Sequence, residues 1–178
     1  MYQQYNQGFI EVITGCMFAG KSEELIRRIK TLEYAHKRIA IFKPAIDKRY
    51  SDAYIVSHNG KRVKSFVISK AEEIYAYMQE DYDVVAIDEV QFFDEEIVKI
   101  CNELANQGKR VIVAGLDMDF RGEPFKVMPA LLATAEFVTK LTAVCMKCGA
   151  PATRSQRLID GKAANASLSL IHISEPTR

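Results

Sequence analysis

The sequence has no charge excess, no long apolar run and few cysteines, and each of these shortages excludes a class of protein. Its 24 lysine and arginine residues nearly balance its 23 aspartate and glutamate residues, which leaves a formal net charge of +1. General nucleic-acid binders and membrane-surface binders usually carry a strong basic excess, so we expect neither kind of partner. No stretch approaches the roughly 18–20 consecutive apolar residues that a membrane-spanning helix requires.

The N-terminus and the cysteine content together predict a cytoplasmic protein. Residues 1–7 are polar and lack the basic flank and apolar centre of a secretory signal. Four cysteines in such a compartment are typical of free thiols or metal ligands rather than disulfides. The 178 residues are 48% hydrophobic and 26% charged, values that are typical of one globular domain with an ordinary core.

Short apolar runs alternate with amphipathic patterns along most of the chain. The runs that predict strands cover residues 9–14, 38–42, 63–68, 82–88, 110–116 and 137–144. The patterns that predict helices cover residues 22–34, 69–79, 94–108 and 129–136, and a capping box of Ser69 and Glu72 begins the second. Polar residues 47–60 predict a long loop. The alternation predicts an α/β fold with a mainly parallel sheet and helices on both faces.

The composition of the chain changes after Val144. A Cys-x-x-Cys pair opens a different unit there, and from about residue 167 the sequence continues no pattern set earlier. We therefore predict a nucleotide-binding domain over residues 1–144 and a partial C-terminal segment over residues 145–178. The last part of that segment, from about residue 167, is predicted to be a non-native tail.

One loop has the pattern G-x-x-x-x-G-K-[ST] of a phosphate-binding loop. Its residues are Gly15, Cys16, Met17, Phe18, Ala19, Gly20, Lys21 and Ser22. The glycines allow backbone N–H groups to surround phosphate oxygens, and the helix that follows directs its positive end toward the same anion. Lys21 can reach the β and γ phosphates, and the Ser22 hydroxyl can bind Mg²⁺. The alternative is a glycine turn with Lys21 in solvent, although the strand before and the helix after favour the phosphate loop.

Two acids end the strand predicted at residues 82–88. Asp88 is positioned to hold Mg²⁺, through a water molecule, because Mg²⁺ keeps part of its hydration shell. Glu89 points in a different direction and can act on a nucleophile instead of the metal. The alternative is a pair of solvated acids at a strand end. With the phosphate loop, these acids predict nucleoside triphosphate binding and phosphoryl transfer by a P-loop NTPase-like fold, but they do not select the acceptor.

Five segments share the pattern of a known family. They are residues 15–25, 42–50, 57–60, 87–93 and 114–122. Together, within about residues 8–162, they resemble the thymidine kinase family of the cellular, zinc-containing type, in its bacterial form. The resemblance implies transfer of the γ-phosphoryl group of ATP, with Mg²⁺, to the 5′-hydroxyl of thymidine. The product, dTMP, would serve nucleotide salvage and DNA synthesis, and the family forms homotetramers.

The resemblance also implies a role for individual residues. Glu89 matches the general base, and Lys21, Ser22 and Asp88 match the phosphate and Mg²⁺ ligands, with Gln91 near the phosphates. The residues that match those around the thymine ring are Met17, Phe92, Phe120 and Phe125. Asp47 and Arg49 match a motif pair in a loop near the active site. The alternatives are core packing for the three phenylalanines and a solvated ion pair for Asp47 and Arg49.

Cys145 and Cys148 have the spacing of half a tetrahedral zinc site. A structural zinc site needs four ligands, and the family supplies the other two from a second Cys/His pair further on. Here only His172 follows, in the predicted tail. A redox pair is the alternative, but no thioredoxin-like context follows.

The family's lasso over thymidine is also incomplete, since no tyrosine occurs after Tyr82. The lasso carries a tyrosine near the base, so its loss removes part of the nucleoside clamp. We therefore predict an intact ATP half, an incomplete clamp, impaired transfer, and weak zinc binding or none.

Two other functions remain open from the motifs alone. One is a P-loop ATPase that acts on nucleic acid and carries a zinc ribbon, which the near-neutral charge disfavours. The other is a nucleotide-binding module without catalysis. Stimulation of ATP turnover by thymidine, by single-stranded DNA or by neither would separate these functions.

Overall fold

A computed structural model describes residues 7–45, 54–56, 60, 62–79, 81–156, 158–159, 162–163 and 175–177. The strands are β1 (Phe9–Gly15), β2 (Ile39–Pro44), β3 (Tyr54–Val56), β4 (Arg62–Lys64), β5 (Phe66–Ile68), β6 (Val84–Ile87), β7 (Arg110–Gly115), β8 (Phe137–Leu141), β9 (Ala143–Val144), β10 (Pro151–Ala152), β11 (Arg154–Gln156), β12 (Leu158–Ile159), β13 (Lys162–Ala163) and β14 (Glu175–Thr177). The helices are α1 (Lys21–Tyr34), α2 (Ile74–Tyr77), α3 (Glu96–Asn106) and α4 (Met128–Thr134), with 3-10 turns at Ala71–Glu73 and Val90–Phe92.

The central sheet has six parallel strands in the order β5-β2-β6-β7-β1-β8. The prediction of a mainly parallel sheet is therefore confirmed. The register pairs Thr14 with Gly115 and Phe42 with Ile87, so the carboxyl ends of the strands meet at one edge. In open parallel sheets, ligands bind outside that edge. The predicted phosphate loop and the two acids both lie there.

Alternating side chains of the strands build a core on each face of the sheet. On β6, Val85 and Ile87 face one core while Val84 and Ala86 face the other. The first core is closed by α2, α3 and α4, and the second by α1 with β3 and β4. Because a strand's side chains point alternately to its two faces, a buried parallel strand is apolar throughout. The prediction of helices on both faces is confirmed.

The segment between β2 and α2 differs from the prediction. Residues 54–56, predicted as part of a loop, form β3, which pairs antiparallel with β4 and buries Ile55 beside Val63. The predicted strand at 63–68 is two strands, because β4 belongs to this hairpin and β5 to the central sheet. These strands are only three residues long, too short for periodicity to separate them.

The second helix starts later and is shorter than predicted. Glu73, rather than the predicted Glu72, caps the start of this segment. Its carboxylate accepts hydrogen bonds from the backbone N–H groups of Ser69 and Lys70, at 3.0 and 2.8 Å. A 3-10 turn precedes α2, so the helix predicted over residues 69–79 is reduced to four residues.

The C-terminal part forms small antiparallel pairs beside the sheet. The predicted strand at 137–144 is two strands, since β8 joins the sheet and β9 pairs with β10. Strand β14, in the predicted tail, pairs with β11, and β12 pairs with β13. Within the described residues, no helix is long and apolar enough to cross a membrane.

A buried carboxylate in β1 ties several elements together. Glu11 pairs with Arg28 of α1 at 2.5 Å and with Arg110 of β7. Arg28 also donates a hydrogen bond to Thr139 of β8, at 2.8 Å. The Glu11 side chain is only 6% exposed, and it compensates the charge of Arg110 and, together with Glu24, the charge of Arg28 in a poorly solvated place.

We expect replacement of Glu11 with alanine to destabilise the protein by about 3 kcal/mol, because the partly buried Arg110 loses this carboxylate and Arg28 keeps only Glu24. The midpoint and slope of urea unfolding measure this change. The matched control removes Glu96, whose pair with Lys99 lies on the exposed side of α3, and should cost much less. Equal losses in the two variants would show that the Glu11 network adds no more than a surface pair.

Candidate active site

The predicted phosphate loop joins the end of β1 to the start of α1. Gly15 has a φ of 142°, and a Cβ atom there would lie 2.2 Å from the carbonyl oxygen of Leu141. Only glycine fits this approach to the neighbouring strand. Gly20, with a φ of 84°, precedes the first turn of α1, where backbone N–H groups at the helix N-terminus favour an anion. The predicted strand–loop–helix context is therefore present.

Lys21 lies under this loop and is only 9% exposed. Its Nζ atom donates a hydrogen bond to the carbonyl oxygen of Cys16, at 2.7 Å. Burial lowers the pKa of Lys21 below its ordinary value, while the negative charges of Glu89 and Asp88 oppose that effect. The carboxylates of Glu89 and Asp88 are thus the charges that compensate the ammonium group most strongly, and an ATP phosphate would add to that compensation.

Ser22 and Asp88 meet across the edge of the sheet. The Ser22 hydroxyl donates a hydrogen bond to Oδ2 of Asp88, at 3.1 Å. Burial raises the pKa of the Asp88 carboxyl, and repulsion from Glu89 adds to the rise. The N–H group of Glu89, the Ser22 hydroxyl and Lys21 act in the opposite direction. A hydroxyl and a buried carboxylate are hard oxygen ligands, so the predicted Mg²⁺ ligands fit that ion.

Glu89 follows Asp88 in an unusual backbone conformation. Its φ and ψ are 51° and 39°, in the left-handed region that residues other than glycine seldom adopt. Its N–H group donates to the Asp88 carboxylate at 3.0 Å, and the 3-10 turn at Val90–Phe92 begins immediately after it. The division of roles between the two acids stays a prediction. Strained backbone of this kind is concentrated at functional sites.

Gln91 is buried beside Glu89. Its side-chain amide donates a hydrogen bond to Oε2 of Glu89 and accepts one from the N–H group of Leu116, at 3.1 Å. The sequence resemblance predicts Gln91 near the phosphates, and that position stays a prediction. Within the protein, its amide bonds to the Glu89 carboxylate and to the N–H group of Leu116, just after β7.

The aromatic residues predicted around thymine occupy two neighbouring segments. The rings of Phe92 and Phe125 meet edge to face, with centroids 6.4 Å apart, and Phe125 also packs against the first core. Phe120 lies in a turn that the Asp119 carboxylate closes by accepting hydrogen bonds from the N–H groups of residues 121 and 123. Met17 is partly exposed in the phosphate loop. The other two predicted substrate residues, Asp47 and Arg49, lie outside the described residues.

Sequence reasoning missed the contacts between the phosphate loop and the C-terminal unit. The N–H group of Met17 donates to the Ser155 hydroxyl at 2.9 Å, and the Cys16 thiol donates to the carbonyl oxygen of Ala152 at 3.2 Å. Ala143 and Cys145 complete a small apolar cluster around Cys16. These partners are more than 100 residues apart in sequence, so no local pattern could reveal them.

Asp117 is a second residue that the sequence analysis missed. It is 5% exposed, lies two residues beyond β7 and pairs with Lys140 of β8, at 2.8 Å. Its charge also reaches Lys21, where it helps to oppose the effect of burial on the pKa of that lysine. An acid directly after a buried strand was the available signal, because the same signal identified Asp88.

The two predicted zinc ligands differ in environment. Cys145 is buried against Cys16, whereas Cys148 is exposed in a tight turn that the N–H group of Gly149 closes by donating to Cys145. Across the described ranges, no three Cys, His, Asp or Glu side chains come together as a metal site. Two thiols do not close a structural zinc site, so the described residues do not fit a bound zinc ion.

A comparison with protein families agrees with the interpretation of the motifs. The family model described as thymidine kinase matches residues 8–173 of this chain. The X-ray structure of the Legionella pneumophila ATPase DotB is similar at 15% sequence identity, with a TM-score of 0.47. That similarity covers 73% of this chain and 35% of the ATPase chain, so this chain spans about a third of that protein's length. At that level, the likeness to the ATPase has no bearing on function.

Proposed function

Because this chain belongs to the thymidine kinase family, we propose that it transfers the γ-phosphoryl group of ATP to the 5′-hydroxyl of thymidine and so produces dTMP. The observation that carries the proposal is the meeting of Lys21, the Ser22–Asp88 pair and Glu89 at one edge of the sheet. A cation, a metal-binding oxygen pair and a separate carboxylate base are the parts that phosphoryl transfer to an alcohol requires.

The phosphate loop and Lys21 hold the triphosphate. Backbone N–H groups at the start of α1 and the Lys21 ammonium face the charge that builds up on the migrating group. Ser22 and Asp88 would hold Mg²⁺, which, when bound, neutralises charge on the β and γ phosphates. The pairing of these groups in the protein reduces the reorganisation needed when ATP arrives.

Glu89 accepts the proton of the attacking hydroxyl. The 5′-oxygen forms a bond to the γ-phosphorus while the bond from that phosphorus to the β,γ-bridging oxygen breaks, and ADP leaves. The proton of the 5′-hydroxyl passes to a Glu89 carboxylate oxygen. In a loose transition state, the position of this base matters more than its strength, and the left-handed backbone at Glu89 fixes that position.

The nucleoside would bind beside the aromatic residues. Phe92 and Phe125 already form an edge-to-face pair, and together with Phe120 and Met17 they can form an apolar slot for a flat base with a methyl group. Asp47 and Arg49 belong to this proposal by family resemblance alone. The incomplete lasso leads us to expect weaker nucleoside binding and slower transfer than in a chain with a complete C-terminus.

The proposed biological setting is nucleotide salvage. By family resemblance, we propose a cytoplasmic homotetramer that supplies dTMP for DNA synthesis. Sedimentation velocity of the purified chain measures its assembly state directly, and a monomer at micromolar concentration would contradict the tetramer.

A nucleoside screen tests the proposed function. ADP release would be measured with thymidine, other nucleosides and single-stranded DNA, on this chain and on a version that carries a complete family C-terminus. We expect thymidine to stimulate ADP release in both proteins, and more strongly in the complete one, because the lasso adds contacts to the nucleoside. Stimulation by DNA alone would favour the nucleic-acid ATPase, and ATP binding without turnover would favour a non-catalytic module.

A further inference from the structure

We propose that Gln91 is a positioning residue that holds the Glu89 carboxylate in place for proton transfer, an assignment that rests on the proposed function. Gln91 joins the base to the end of β7 through a single amide group. One end of this amide meets Glu89 and the other meets the backbone of Leu116. The contacts of this amide determine the positions of its oxygen and nitrogen atoms and hold the side chain in place.

The backbone of Leu116 determines the orientation of the Gln91 amide. A backbone N–H group can only donate, so the atom that it meets at 3.1 Å must be the amide oxygen, Oε1. The amide nitrogen, Nε2, then faces Oε2 of Glu89 and donates to it. Reversing the amide would place two donors together at Leu116 and two oxygens together at Glu89. The arrangement is therefore directional, and its donor end is matched to a carboxylate.

Close packing prevents the Gln91 side chain from shifting. Gln91 is 5% exposed. A Cβ atom at Gly115 would lie 2.7 Å from Gln91 Oε1 and 2.8 Å from Cγ1 of Val90, so only a residue without a side chain leaves room for this amide. The Met128 sulfur is the next neighbour, 3.3 Å from that position. Gly115 thus contributes to the position of Gln91, because it leaves the amide the space to reach Leu116.

The rigid support explains how Glu89 keeps its unusual backbone. A non-glycine residue in the left-handed region is strained and persists only when its surroundings hold it. The N–H group of Phe92 donates to the Glu89 carbonyl at 3.1 Å, and the Gln91 amide holds the carboxylate of the same residue. Backbone and side chain of the base are therefore fixed by the turn that follows it.

Two variants of Gln91 test separately its hydrogen bond to Glu89 and its hydrogen bond from Leu116. Gln91→Glu keeps an oxygen for the Leu116 N–H group but replaces the donor that faces Glu89, whereas Gln91→Met removes both ends. We expect each variant to lower kcat about 10- to 100-fold while the KM for ATP changes less than about twofold. Gly115→Ala should produce the same split, because its Cβ displaces the amide. Gln107→Met, at the exposed end of α3, is the control and should match the parent chain.

Two kinetic outcomes would overturn the proposal. A higher KM for ATP with unchanged kcat would place Gln91 at the phosphates, and unchanged kinetics in Gln91→Glu would remove any role for its donor. Thermal unfolding of each variant identifies losses that come from misfolding. In that case, Gln91→Glu, which keeps the backbone hydrogen bond, decides the question.

A second measurement does not depend on turnover. In NMR spectra of the ¹⁵N-labelled chain, we expect the Gln91 side-chain amide protons to exchange slowly and to shift when Glu89 is replaced by alanine, but not when exposed Glu95 is. Insensitivity to Glu89→Ala would show that the contact does not exist in solution and would overturn the assignment. A shift without any thymidine-dependent turnover in the parent chain would instead refute the proposed function, and with it the catalytic purpose of the contact.

Discussion

Replacing Glu89 with glutamine is expected to lower kcat for thymidine phosphorylation by about 10²- to 10⁴-fold and to leave ATP affinity nearly unchanged. Glutamine has the same shape but cannot take the proton from the 5′-hydroxyl. Its amide oxygen still accepts the hydrogen bond from Gln91, so the surrounding turn should be preserved. Steady-state turnover and equilibrium binding of a fluorescent ATP analogue measure the two quantities separately.

The control for this experiment is Glu95→Gln, which makes the same chemical change on an exposed residue just before α3. It should leave both turnover and ATP binding at the level of the parent chain. Full turnover in Glu89→Gln would show that another group, or water, accepts the proton. Loss of ATP binding in that variant would instead place Glu89 among the nucleotide contacts.

Replacing Lys21 with alanine is expected to weaken ATP binding about 10- to 100-fold and to lower kcat by about 10²- to 10³-fold. Lys21 is the buried cation of the phosphate loop, and the negative charges of Glu89 and Asp88 are the ones that act on it most strongly. Without it, the two acids repel the triphosphate and the charge on the migrating group loses its partner. Both ground state and transition state should therefore suffer, unlike in Glu89→Gln.

Lys30→Ala is the matched control, because Lys30 lies on the same helix but is exposed. It removes the same charge from α1 and should change neither binding nor turnover measurably. If Lys21→Ala bound ATP as tightly as Lys30→Ala, the hydrogen bond from Lys21 to Cys16 would be its main role, and the lysine would serve loop structure. Calorimetric titration with ATP and Mg²⁺ distinguishes these results.

The sequence predicts the contiguous part of the site and misses the part assembled from distant segments. Lys21, Ser22, Asp88 and Glu89 are predictable because strand, turn and helix signals lie next to them in the chain. The direction of the Gln91 amide depends on the N–H group of Leu116, 25 residues later. Hydrogen bonds of that kind leave no periodic trace in a single sequence.

The same limit explains the errors in the fold. The central strands are apolar throughout because both of their faces are buried, so their positions are visible in the sequence. Strand β3 has only three residues, all of them strong strand formers, inside an otherwise polar segment. Its pairing with β4 and the buried Lys43, whose Nζ atom donates to the carbonyl oxygen of Tyr54 at 3.2 Å, fix its position. Local propensity and tertiary contacts agree here, but three residues are too few to be recognised in the sequence.

The hydrogen bonds from Cys16 and Met17 to Ala152 and Ser155 imply that changes in the C-terminal part also affect the predicted phosphate loop. The proposed nucleoside and ATP sites are therefore not expected to act as separate modules, because the predicted phosphate loop is hydrogen-bonded to Ala152 and Ser155. A deletion that began before residue 152 would therefore impair the handling of both substrates. A variant with a different C-terminal segment should therefore keep Ala152 and Ser155, so that a change in nucleoside specificity is not accompanied by a change in the phosphate loop.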